Sequence, residues 1–183
     1  MNGIIFIEIG KFARSQLGDK IWGEAVHAAG IPDQFYYRVA DYRDEEAVAL
    51  LSTLSAAMHE PLDVILKGLG EFIVPDLIRM ARYWIEPDWK TLDLIANTEH
   101  TIHEMLRTEG SQTNPPRLQC QRTGAGEVVV NYDSPRKMCA LARGIIMGIG
   151  KHYGENVTIE EPSCMPNGGA MCQIVVTVVA PAS

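Results

Sequence analysis

Three groups of side chains in this sequence have the types and spacing to do chemistry. His103 lies at the edge of an apolar stripe, Leu92, Ile95, Ile102 and Leu106, set at helical spacing, while His100 points further toward the polar side. An imidazole there is a metal ligand, a hydrogen-bonded core residue or a half-exposed side chain, and the stripe alone does not choose among them. Tyr132-x-Ser134-x-Arg136 is the second group. In an extended segment alternate residues share a face, so a phenol, a hydroxyl and a guanidinium would converge on one target. All three donate hydrogen bonds, and the arginine fork suits a carboxylate. Pro135 holds Ser134 extended. A solvated polar face at a strand end is the plainer alternative. The third group is Cys139, Cys164 and Cys172, one short of the four nitrogen or sulfur ligands of a structural zinc site. Cys120 or a histidine from elsewhere would have to complete it; buried, inert thiols are the alternative.

Helical spacing runs through the first two-thirds of the chain. It predicts helices over 4–18 and 19–29, the second stopped by Gly30 and Pro32. Asp44-Glu45-Glu46 opens a run to about Met58; Pro61 to Ile73 and Pro75 to Trp84 follow as two further helices, and the His103 helix spans Thr91 to Arg107. After the Pro115-Pro116 turn the pattern alternates. Arg117–Arg122 and Glu127–Tyr132 read as strands of a hairpin turned at the glycine-rich Thr123–Gly126. Lys137 to Tyr153 returns to helix, and Val157–Glu161 and Gln173–Val179 are strands around the turn Pro166–Gly169. The expected fold is α+β: an N-terminal helical lobe packed on a four-stranded antiparallel sheet that carries one long helix.

Bulk properties exclude several function classes. A net charge of -7 opposes a phosphate-backbone binder, so no nucleic-acid partner is expected. Charged residues interrupt every apolar run before membrane-spanning length, and the first ten residues lack a secretory pattern; no membrane association and a cytoplasmic location are expected. Cysteines in that compartment are reduced or metal-bound. No activated nucleophile or paired acid and base stands out, which argues against an enzyme.

The His103 helix, the Pro115-Pro116 turn after it, the Tyr132-x-Ser134-x-Arg136 triplet further on, the opening MNGIIF and the acidic segment near Asp44 together resemble the heme-nitric oxide/oxygen binding (H-NOX) domain. The resemblance covers essentially the whole chain, like a stand-alone bacterial member. It implies one domain over 1–183, with a distal helical part to about residue 60 and a proximal part from 61 onward, and a non-covalent heme b between them. His103 would be the protein ligand to iron. Tyr132, Ser134 and Arg136 would bind the propionates, and Pro116 would press on the porphyrin. Ile5, Ile9, Ile73, Leu141 and Ile145 would line the pocket. The absence of a Cys-x-x-Cys-His motif agrees with non-covalent binding.

The resemblance also implies which gas is favoured. Members that hold dioxygen carry a distal tyrosine; that position is Leu141 here, and the other distal positions align with Ile9 and Ile73. None donates a side-chain hydrogen bond, which bound dioxygen needs more than nitric oxide does. The expectation is a nitric oxide sensor, also open to carbon monoxide, that releases His103 and signals to a histidine kinase or a cyclic-di-nucleotide enzyme. Zinc is a second implied cofactor, through Cys139, Cys164 and Cys172. That match is incomplete, because Met165-Pro166 stands where a histidine is expected. The runner-up is a thiol or zinc redox sensor built on the same cysteines.

Overall fold

The computed structural model describes residues 1–32, 34–104, 107 and 115–179. Helix α1 (Gly3–Ala28) starts where the Asn2 side chain accepts the Ile4 N–H at 3.0 Å. Gly18 breaks it with φ 79° and ψ 163°, an arrangement that suits glycine, so the run behaves as the two helices the sequence predicts. Helix α2 (Asp44–Met58) places Asp44, Glu45 and Glu46 at its positive end.

The third helix corrects the sequence reading. Two helices were expected on either side of Pro75, but α3 (Leu62–Ala81) runs through it. A proline inside a helix costs roughly 3 kcal/mol. Packing offsets that cost: the neighbouring Ile73 and Val74 are completely buried, and α3 lies against α5 (Cys139–Tyr153) almost backbone to backbone. A Cβ on Gly144 would sit 2.1 Å from the Lys67 carbonyl oxygen, and one on Gly70 would sit 2.4 Å from that of Leu141. Only glycine permits this approach.

A second correction falls on the histidine helix. Helix α4 (Thr91–Thr98) does not continue as regular α-helix to Arg107; a π-helical turn takes over at Glu99–His103. Single π turns inside helices recur at functional sites because they re-aim side chains. Leu106, the last member of the predicted stripe, lies outside the described residues.

Four strands, β1 (Arg117–Gly124), β2 (Glu127–Asp133), β3 (Asn156–Ser163) and β4 (Cys172–Val179), form an antiparallel sheet in the order β1-β2-β4-β3. Along β2, Val128, Val130 and Tyr132 are buried, facing one side as strand alternation requires. Two apolar cores result. Phe6, Ile9, Leu50, Leu54 and Leu69 centre the helical lobe; Val128, Val130, Ile174, Val176, Ile95 and Ile149 join the sheet to α4 and α5. The architecture is α+β, as predicted. Among the described residues no helix is long and apolar enough to cross a membrane.

Candidate functional site

The π turn buries the His103 side chain to 14% exposure, while His100 stays largely exposed beside Glu104. His103 Nδ1 lies 3.1 Å from Glu99 Oε2. Glu99 also accepts Arg107 Nη1 at 2.6 Å and the Leu118 backbone N–H at 3.0 Å, and Arg107 Nη2 donates to the Pro116 carbonyl at 3.0 Å. Burial pushes His103 toward its neutral form, against the pull of Glu99. Burial alone would raise the Glu99 carboxyl, but its three donors hold it below the usual range. A neutral imidazole whose Nδ1 is engaged presents Nε2 to a metal.

The polar triplet is only partly as predicted. Tyr132 and Ser134 are buried on the same face, yet the chain turns at Pro135-Arg136 instead of running on extended. Ser134 Oγ accepts the Arg136 N–H at 3.3 Å, Lys137 N donates to the Ser134 carbonyl at 3.0 Å, and Lys137 adopts φ 51°. A proline second in a four-residue turn pre-sets that bend. Arg136 therefore reaches its place through a turn. Its Nε donates to Asp44 Oδ2 at 2.7 Å, and the Met1 ammonium lies 3.0 Å from Asp44 Oδ1. Burial would raise Asp44, but these two cations hold it low. The group offers a buried phenol and hydroxyl and, past the turn, a guanidinium paired with Asp44, donor types that suit a carboxylate. Together with the neutral imidazole, this set fits the iron and the two carboxylates of a heme.

Among the apolar residues, Ile9 and Ile73 are fully buried, while Ile5 and Leu141 are half-buried against the helical core. Ile145 packs on the sheet-side core instead. Beside Ile9 stands a residue that sequence reasoning missed: Glu8, 1% exposed. Lys11 Nζ donates to Glu8 Oε1 at 2.7 Å and also to Asp76 on α3. Burial raises the Glu8 carboxyl, while Lys11 lowers that of Asp76. This trio ties α1 to α3 and engages Lys11, while Arg79 pairs with Asp76 from the other side at 2.5 Å.

Two clefts lie elsewhere. One, of about 320 Å³, is bordered by Lys90, Asp93, Arg122 and Glu155; the other, of about 260 Å³, opens between α1 and the 31–36 segment.

The cysteine group gathers as expected, with a different fourth member. Cys139 Sγ is 3.6 Å from Cys164 Sγ, which is 4.0 Å from Cys172 Sγ. Glu161, not Cys120 or a histidine, completes the set, with all four ligand atoms within 4.8 Å of one another. A register shift in β3 between Glu160 and Ser163 turns it inward, as bulges do. Arg143 Nη1 donates to Glu161 Oε2 at 2.9 Å, whereas the buried Glu161 Oε1 has no hydrogen-bond partner among the described residues. The Met165 backbone N–H points at Cys172 Sγ, 3.2 Å away.

A family model described as haem-NO-binding matches residues 2–161. The chain belongs to this family of heme-based gas sensors. A search of curated proteins finds no match. Solved structures show the same fold. The H-NOX protein from S. oneidensis in its Fe(II)NO ligation state superposes with a TM-score of 0.90 at 20% identity, covering 98% of this chain and 100% of that one. Unliganded Fe(II) H-NOX from K. algicida gives 0.86 at 18% identity, over 100% and 99% of the two chains. An I5F mutant from T. tengcongensis gives 0.85 at 19% identity over the whole of both chains.

Proposed function

We propose that the chain is a heme-based nitric oxide sensor that discriminates against dioxygen. It acts without catalysis of its own, in the cytoplasm, on a separate histidine kinase or cyclic-di-nucleotide enzyme. The observation that carries this reading is the half-buried His103, held at Nδ1 by Glu99 and placed on a π turn within a family of heme-based gas sensors. His103 would hold the iron through Nε2. Tyr132, Ser134 and Arg136 would hold the propionates, and Pro116, whose carbonyl Arg107 anchors, would meet the porphyrin. Heme, when bound, would supply a ferrous iron open to a diatomic gas, with His103 as the protein ligand that nitric oxide would release. Ile9, Ile73 and Leu141 offer that gas no hydrogen bond, so the negative charge that dioxygen accumulates would go unanswered. Release of His103 frees the π turn, and a partner that binds one of the two resulting states more tightly reads the signal.

Adding nitric oxide to the reduced, heme-loaded protein should shift the Soret band to the short-wavelength position of five-coordinate nitrosyl heme. A persistent six-coordinate spectrum contradicts release of His103.

The cysteine group supports a second reading, a structural zinc site. At a zinc–sulfur distance of about 2.3 Å, two sulfurs of a tetrahedron lie about 3.8 Å apart. The separations of 3.6 and 4.0 Å straddle that value, and Glu161 Oε1, without a hydrogen-bond partner among the described residues, would supply a fourth donor. Burial raises the Cys139 and Cys164 thiols, so neither is a ready thiolate for redox chemistry, and zinc would bind by displacing their protons. Metal analysis should give one zinc per wild-type chain and none for Cys172→Ser; equal, negligible zinc in both removes the site.

A further inference from the structure

We infer that Glu99 is the positioning residue of the gas-sensing unit: an anionic tether that sets the strength of the iron–imidazole bond and ties His103 to strand β1. The inference rests on His103 being the heme ligand. Its grounds are geometric. One carboxylate serves three elements at once. Oε2 meets both His103 Nδ1 at 3.1 Å and the Leu118 N–H at 3.0 Å, so ligand helix and strand share a single oxygen. Oε1 takes Arg107 at 2.6 Å, and Arg107 continues to the Pro116 carbonyl at 3.0 Å. Four residues apart on one face is the spacing at which side chains meet, and the pair lies within the π turn, with both side chains at 16% exposure or less.

Two consequences follow. A carboxylate accepting the Nδ1 proton makes the imidazole a stronger donor at Nε2, which strengthens its bond to iron and favours the ferric state. Arg107 opposes this by drawing on the same carboxylate, so the two residues push the bond in opposite directions. In addition, when His103 leaves the iron, Glu99 keeps the ring attached to Leu118 and the start of β1. The released motion is thereby delivered to the sheet at Pro116–Leu118.

The test compares heme-loaded wild type with Glu99→Gln and Arg107→Gln, by resonance Raman and redox titration. Glu99→Gln preserves shape and an acceptor but not the charge. It should lower the ferrous iron–imidazole stretching frequency and raise the reduction potential. Because such partners change metal affinity by roughly 10- to 100-fold, conversion to five-coordinate nitrosyl should also quicken roughly tenfold. Arg107→Gln should raise the stretching frequency. A wild-type frequency in both variants overturns the inference, and so does a shift of the same sign in both. If Glu99→Gln takes up no heme, the sign of the Arg107→Gln shift decides alone. Failure of the parent reading has a different signature: His103→Gly would keep the native ferrous spectrum.

Discussion

The two sides of the proposed heme pocket use polarity in opposite ways. On the His103 side, a single carboxylate collects an imidazole, a guanidinium and a backbone N–H within 3.1 Å. On the side of Ile9, Ile73 and Leu141 the side chains are hydrocarbon, and the nearby Lys11 is occupied by Glu8 and Asp76. One side works by supplying partners and the other by withholding them. On the proposed function, selectivity among diatomic gases would come from withheld rather than added contacts. Leaving a developing charge without a donor discriminates as effectively as pairing it, since an unmet hydrogen bond costs more than a made one yields.

The contrast can be broken from either side. The largest effect is expected at His103, where His103→Gly should abolish the native ferrous absorption spectrum, and free imidazole added to that variant should restore it. Next comes the hydrocarbon side. Leu141→Tyr introduces the missing donor, and hydrogen bonds to charged partners contribute roughly 1.5–3 kcal/mol. Dioxygen affinity, measured by absorbance titration of the reduced protein, should therefore rise roughly 10- to 100-fold with little change for carbon monoxide. An equal rise for both gases would show that the side chain acts by shape.

Lys11→Met strips the cation from the buried Glu8, while Asp76 keeps Arg79, and should cost about 2 kcal/mol by denaturant titration at neutral pH. The loss has a pH signature. Burial raises Glu8 in the fold, and without Lys11 it rises further. A carboxyl with a raised folded-state pKa stabilises the fold below its unfolded value, and that contribution is lost as pH rises through the folded one. The variant should therefore recover toward wild type as pH falls from 7 toward about 4.5, the ordinary value for a glutamate. A penalty independent of pH would mean that packing, not charge, is what Lys11 contributes. The smallest effect is expected at Tyr132→Phe, where one propionate donor is lost while Ser134 and Arg136 remain; heme loss should speed by roughly tenfold at most in a transfer assay.

How legible all this was depended on how far each residue's partner lies along the chain. The sheet read well because alternation in Glu127–Asp133 and Cys172–Val179 is local, and Tyr132 and Ser134 are buried together for the same reason. Helix α3 was misread at Pro75 because the force that keeps it whole comes from Gly144 and its neighbours on α5, some 70 residues away by number. The bend that carries Arg136 was visible in Ser134-Pro135, but the extended pattern was followed one step too far. Glu8, Glu99 and Glu161 were passed over because acidic residues are ordinarily solvated. Their burial depends on Asp76, Leu118 and Arg143, which no local pattern connects to them. Glu99 left a readable sign four residues before His103, as did Glu8 three residues before Lys11.

The measurement that most directly tests the account is the absorption spectrum of the reduced, heme-loaded protein exposed first to air and then, re-reduced, to nitric oxide. The account predicts no stable dioxygen spectrum in air and immediate formation of the nitrosyl spectrum. A dioxygen complex that persists in air would contradict it, because Ile9, Ile73 and Leu141 would then not be what decides which gas is held.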